Sequence, residues 1–268
     1  MAPTITRLPA DCTADDIIEV DARDGGVIVD GWLDVELVAR FNAEIQPYLD
    51  AHRGTDSGSA TSDDFLGVRT RRIQGLCAKA PSFLDIMLDK RLVAFAEAVV
   101  KPISPTIIFN DGEVIDIGPG ESAQPFHRDD DAWNFARPDG PMMINTIAAL
   151  VDITPEMGGT LVVPGSHRWD PDRQPTDDEV VSCDLPLGSA LFFRGTTLHA
   201  GGTNATARRR RALSTSFCCG WLRLWLSPCS RSARMRISRK AITGDGHRPS
   251  SSLRTMVKSS TRRCRATS

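Results

Sequence analysis

No apolar run in the chain approaches the roughly 20 residues that a helix needs to cross a bilayer, which excludes a helical membrane span. The start of the chain lacks a basic stretch followed by an apolar one, so a secretory leader is not expected. There is no CxxC pair among the seven cysteines, and their number is odd. That argues against a disulfide framework and for free thiols in a reducing compartment, hence for a cytoplasmic protein. No internal repeat is visible. Net charge is nearly absent too, at −2, but the balance hides an asymmetry. From residue 222 to the end there are 12 of the 32 bases and one of the 34 acids, a charge of +11; the rest holds 20 bases and 33 acids, −13. A body that acidic disfavours nucleic acid as the partner of the main domain.

What is present is ordinary for a globular protein: 41% hydrophobic and 25% charged residues. A chain of 268 residues buries roughly 70–75% of its unfolded surface, so it needs neither disulfides nor structural zinc to hold a core. Residues 25–30 (GGVIVD) read as a short strand. Asp34 is a helix N-cap, and Leu37, Val38, Phe41, Ile45, Tyr48 and Leu49 recur at helical spacing over about 35–50. Residues 51–66 have the small, polar composition of an exposed loop, and a second helical region runs over about 82–100 until Pro102 stops it. From residue 106 the period becomes that of strands, at 106–109, 113–117, 143–152, 160–163, 180–183, 190–193 and 208–218. Turn chemistry separates them, including Asn110-Asp111-Gly112, Gly118-Pro119-Gly120 and Gly201-Gly202. The expected architecture is an all-β core with flanking helices, an antiparallel sandwich or barrel behind a helical layer. The boundaries that follow are an N-terminal extension over 1–24, one domain over 25–222, and a basic Ser/Arg-rich tail over 223–268. Within the domain, the helical layer covers about 34–100 and the β core about 106–219.

Candidate chemistry sits at three places. His127 and Asp129 form His-x-Asp, which on an extended segment sends an imidazole and a carboxylate to one side. Taken alone, the pair is equally a surface histidine beside the acidic cluster of Asp129, Asp130 and Asp131. His199 follows an apolar strand and precedes Ala200-Gly201-Gly202. Two histidines and one aspartate leave coordination positions open on a divalent metal, the pattern of non-haem Fe(II) oxygen chemistry, whereas structural zinc favours four closed ligands, usually with cysteine. Arg210 shares a strand face with Ala212, Ser214 and Ser216, small residues that leave room for a small molecule. A buried guanidinium requires an anionic partner, which a dicarboxylate co-substrate would supply. The plain alternative is that residues 208–211, all arginine, are a solvated basic run.

Three stretches, 124–130 (QPFHRDD), 156–167 (EMGGTLVVPGSH) and 199–222 (HAGGTNATARRRRALSTSFCCGWL), together resemble the phytanoyl-CoA dioxygenase family of Fe(II)/2-oxoglutarate oxygenases, in the branch that acts on small metabolites. The resemblance covers about residues 25–222. It implies a double-stranded β-helix, the jelly roll of cupin-like barrels, with Fe(II) held by His127, Asp129 and His199. It also implies O2 and 2-oxoglutarate as co-substrates, the latter bound through its distal carboxylate by Arg210 with Gln124 and Thr160. Arg72 and Asn145 match positions that line the co-substrate pocket in relatives. His167 belongs to a turn that is structural in the family. Trp133 walls a substrate pocket or is a plain core or rim aromatic, and Asp130 with Asp131 form a solvated loop or steer a cationic substrate. Cys218 and Cys219 read as packing residues.

The expected activity is oxidation of a small organic molecule with release of succinate and CO2. Two other classes stay open at this level. One is a cupin-type metalloenzyme, an isomerase or hydrolase working without O2; the other is a non-catalytic relative. The abrupt change in composition after residue 222 reads as a disordered or frame-shifted tail, with a basic tail for an acidic partner as the functional alternative.

Overall fold

The computed structural model describes residues 3–52, 65–133 and 140–222; expectations placed on the middle of the 51–66 loop and on the tail from 223 lie outside the described residues. The chain begins with strand β1 (Arg7–Leu8), helix α1 (Ala14–Asp24), strand β2 (Gly26–Val29) and helix α2 (Val35–Ala51). First-turn amides have no partner inside a helix. Thr13 and Asp16 therefore cap α1 reciprocally, and the Asp34 carboxylate accepts from the Leu37 amide at the start of α2. The apolar stripe of α2 is buried at Val38, Phe41, Ile45 and Leu49. Strand β3 (Thr70–Ile73) and short helices α3 (Leu76–Lys79) and α4 (Phe83–Met87) lead into α5 (Lys90–Val100). The single helical region expected over 82–100 is thus two helices. Asp89 separates them, because its carboxylate caps α5 by accepting from the amides of Arg91 and Leu92. Residues 1–24, set apart as an extension, contribute α1, whose Ile17 and Val20 are buried in the main core.

The β core follows as β4 (Ile107–Ile117), β5 (Met143–Ala149), β6 (Thr160–Val162), β7 (Val181–Cys183), β8 (Ala190–Arg194), β9 (His199–Gly201) and β10 (Arg210–Cys219). They form a seven-stranded sheet in the order β1-β2-β8-β5-β10-β4-β3, facing a three-stranded sheet in the order β7-β6-β9. This is the jelly roll. No helix among the described residues is long and apolar enough to cross a membrane.

One turn expectation is overturned. Asn110-Asp111-Gly112 lies inside the 11-residue strand β4, paired with β10, and the register shifts between Ser216 and Phe217 so that Asn110 is the extra residue of a bulge. Gly112 is needed for packing and not for a turn, since a Cβ there would run into the Phe83 ring.

Alternation along β10 sorts the four arginines. Arg208 is exposed, Arg210 is buried, and Arg209 and Arg211 reach the opposite face. There they meet Asp116 of β4, fully buried and also paired with Arg71 of β3 at 2.5 Å. Burial alone would raise this carboxylate's pKa, but the hydrogen bonds from Arg209 and Arg71 outweigh it and hold the pKa below its ordinary value.

His167 occupies a 3-10 turn (Ser166–Arg168) against the C-cap of α1, where Gly25 has φ +82° and a Cβ would strike the imidazole. Burial first, then the positive charges of Arg194 and Arg168, lower its pKa to about 4, against smaller opposing pulls from the Ala22 backbone and Asp24. The unfolded chain takes up this proton near pH 6.5 and the folded chain only near pH 4, so acidification through that window favours unfolding. Melting temperatures of wild type and His167→Gln measured at pH 7 and pH 4.5 are expected to converge at the lower pH. A constant gap between the two proteins would refute the assignment.

Candidate active site

Backbone pairing brings the two histidines together. The His127 amide donates to the His199 carbonyl (2.9 Å) and the His199 amide to the His127 carbonyl (3.0 Å), so the residues sit directly opposite each other with ring centroids 4.4 Å apart. Asp129 starts the 3-10 turn Asp129–Ala132 two residues on. Its Oδ1 lies 3.7 Å from His127 Nε2 and its Oδ2 lies 3.5 Å from His199 Nε2. One ligand atom from each residue falls within 4.8 Å of the other two.

The donor chemistry fits a divalent metal. His127 Nδ1 is 3.0 Å from the Pro125 carbonyl and His199 Nδ1 is 3.0 Å from the Thr197 carbonyl. Carbonyls accept and do not donate, so each Nδ1 carries the proton and each Nε2 keeps its lone pair for the centre. Burial and the neighbouring His199 push the His127 pKa down, with Asp129 opposing, and a ligand imidazole must be neutral. Aromatic edges brace both rings: Phe65 against His127 (4.8 Å) and Phe193 against His199 (4.6 Å).

The triad opens on a cavity of about 240 Å³ between the sheets, lined also by Arg210, Gln124, Thr160, Arg72 and Asn145. Arg210 is 5% exposed, and its Nη1 donates only to the carbonyls of Met157 (3.2 Å) and Gly202 (3.3 Å). Among the described residues no carboxylate pairs with it. Burial lowers its pKa to about 10, which still leaves it charged near neutrality. Gln124 bridges the sheet edge to the helical side, accepting from the Gly201 amide (2.9 Å) and donating to the Phe65 carbonyl (2.9 Å).

The remaining expected site residues have their own partners. Asn145 donates its side-chain amide to Asp129 Oδ2, so it orients the carboxylate of the candidate triad. Arg72 forms an ion pair with Glu113 in the cavity wall, which commits its charge. Trp133 is absent from the cavity lining and packs against the main core. Asp130 is 1% exposed, not a solvated loop residue, and accepts from the Met142 amide at 3.0 Å. Sequence reasoning missed Phe65 and Phe193, because an aromatic beside a histidine in space leaves no mark on the spacing.

A jelly roll that gathers two imidazoles, a carboxylate and a buried arginine around one cavity defines an Fe(II)/2-oxoglutarate-dependent oxygenase. The chain belongs to the phytanoyl-CoA dioxygenase (PhyH) family, whose model matches residues 22–212. Among curated proteins it is similar to the dioxygenase FrzG of a Cladobotryum species, 36% identical with 79% of this chain and 76% of that protein covered. It is also similar to the dioxygenase swnH2 of Arthroderma benhamiae, 31% identical over 83% of this chain and 76% of that one. Among solved structures, the non-heme alpha ketoglutarate dependent epimerase SnoN from nogalamycin biosynthesis shares the fold, with TM-score 0.65 and 23% identity over 83% of this chain and 90% of that one.

Proposed function

We propose that the chain oxidises an unactivated C–H bond of a small organic metabolite, converting 2-oxoglutarate and O2 to succinate and CO2. His127, Asp129 and His199 would hold Fe(II), and Asn145 would fix the Asp129 carboxylate in place. Arg210 would receive the distal carboxylate of 2-oxoglutarate through its planar fork, assisted by Gln124 and Thr160. Arg72 would serve as cavity wall through its pair with Glu113. Bound iron supplies the redox chemistry that couples decarboxylation of the keto acid to attack on the substrate. The protein's share is position and shielding: Phe193 and Phe65 hold the imidazoles, and the sheet walls keep bulk water from the reacting atoms.

The observation that carries this reading is the buried Arg210 guanidinium, without an anionic partner among the described residues, in the same cavity as the triad. A buried cation in such surroundings is costly unless a ligand neutralises it. Structural neighbours solved with small natural products bound, nogalamycin RO in one and hygromycin B in another, support a role in secondary metabolism. One domain over residues 25–222, with α1 packed onto it, would carry the activity. Anaerobic addition of Fe(II) and 2-oxoglutarate is expected to give the visible charge-transfer band of their chelate, with succinate released once O2 and substrates are screened. Neither signal under any condition would refute the assignment.

A further inference from the structure

We propose that the substrate carries a protonated amine, bound by Asp111 and Asn110 at the end of the cavity opposite Arg210. The proposal rests on the oxygenase reading above and names the substrate class of the same site.

The sheet register sets out the cavity's two ends. Ser216 of β10 is paired with Asp111 of β4 on one side and Asn145 of β5 on the other, so these three residues form one row across the sheet. Neighbouring strands lie about 4.8 Å apart, which puts Asp111 about 10 Å from Asn145, the residue that steadies the metal ligand. Arg210 lies six residues along β10, about 20 Å away at the backbone. Asp111 therefore faces the cavity beyond the metal ligands as seen from the arginine.

The bulge in β4 brings Asn110 into the same wall. Its Nδ2 donates to Ser216 Oγ (3.1 Å), which also accepts from the Asp111 amide (3.2 Å) and donates to the Asp111 carbonyl (3.4 Å). With its own proton used on that carbonyl, Ser216 can only accept from Asn110, and this fixes which way the Asn110 side-chain amide points. Asn110 Oδ1 is left with no hydrogen-bond partner although the residue is only 9% exposed. A buried acceptor without a donor costs about 1–3 kcal/mol unless a ligand supplies one.

Charge decides the kind of donor. Glu113, next along the same face, is tied to Arg72 and to Gln74 Nε2 (3.0 Å). Asp111 has no ion pair among the described residues. Two carboxylates against one guanidinium leave this end with a net negative charge. Burial and the charge of Glu113 raise the Asp111 pKa to about 6, against weaker pulls from the Gly112 amide and Arg72, so it is mostly ionised at pH 7. The neighbouring Cys77 thiol, raised to about 11 by burial, stays neutral. A hydroxyl offers one proton and no charge. An ammonium offers three donors, enough for Asp111 and Asn110 Oδ1 together, and it neutralises the pocket.

Calorimetric titration of the enzyme loaded with redox-inert Ni(II) and 2-oxoglutarate tests this with three probes of similar size: benzylammonium, benzyl alcohol and phenylacetate. Benzylammonium is expected to bind at least about tenfold more tightly than either of the others, and Asp111→Asn, which keeps the side-chain shape, to erase that preference. The melting temperature of Asp111→Asn is expected to equal or exceed that of wild type, because a carboxylate whose pKa rises on folding costs stability where it is ionised, and its 2-oxoglutarate affinity to match wild type; together these show that the variant is folded. Equal binding of the three probes, no binding of benzylammonium, or an unchanged preference in Asp111→Asn overturns the proposal while 2-oxoglutarate still binds. Failure of 2-oxoglutarate to bind wild type overturns the oxygenase reading itself.

Discussion

Asp129→Ala is expected to yield a folded protein that releases succinate more than about 100-fold more slowly than wild type, since even outer-shell changes at metal sites cost about 10–100-fold. A metal takes imidazoles as neutral ligands, so Asp129 would supply the only negative charge in the donor set. Removing it weakens the hold on a divalent cation and opens one more coordination position. The fold is expected to survive, because the Asp129 side chain is 24% exposed and its contacts are the two histidines and Asn145. Metal content after dialysis and the anaerobic charge-transfer band both report the loss directly. Full turnover in this variant would refute the triad.

Arg210→Lys is expected to raise the apparent KM for 2-oxoglutarate by about 10-fold or more while iron binding stays close to wild type. Lysine keeps the positive charge but loses the planar fork that meets a carboxylate with two parallel hydrogen bonds. It also cannot keep the guanidinium's reach to the Met157 and Gly202 carbonyls, which hold Arg210 in place. Separate titrations of Fe(II) and 2-oxoglutarate distinguish this effect from general damage to the cavity. Unchanged dependence on the keto acid would move its recognition to another side chain.

The triad and the arginine were legible because their chemistry is carried by residue type and order. His-x-Asp, a second histidine after an apolar strand and an arginine on a small-residue face each leave a local mark. The strands of the core were legible for the same reason, since apolar runs record burial. Helix α1 was not. Its buried side consists of Ile17, Val20 and Asp21, and an aspartate reads as solvent-facing until its pairing with Arg194 is seen. Asn110-Asp111-Gly112 has turn composition, yet pairing with β10 and the Phe83 ring override that local preference. Asn145 and Arg72 line the cavity, but their partners were not legible, because Asp129 and Glu113 lie 16 and 41 residues away.

The run of four arginines bears on how the strand carrying Arg210 finds its alignment. Sliding β10 by one position would exchange its two faces, yet it would still present a guanidinium to the cavity, because 209 and 211 are arginines as well. Asp116 would likewise keep an arginine opposite it, since 208 and 210 stand ready to replace 209 and 211. The arginine end of the strand therefore discriminates poorly between correct and shifted pairing. Leu213 and Phe217 discriminate well: a slip would exchange these core-facing side chains with Ser214 and Ser216 of the cavity wall. The penalty for misalignment thus falls on the outer side of the sheet, away from the chemistry, leaving the inner side free to change with the molecule it accepts.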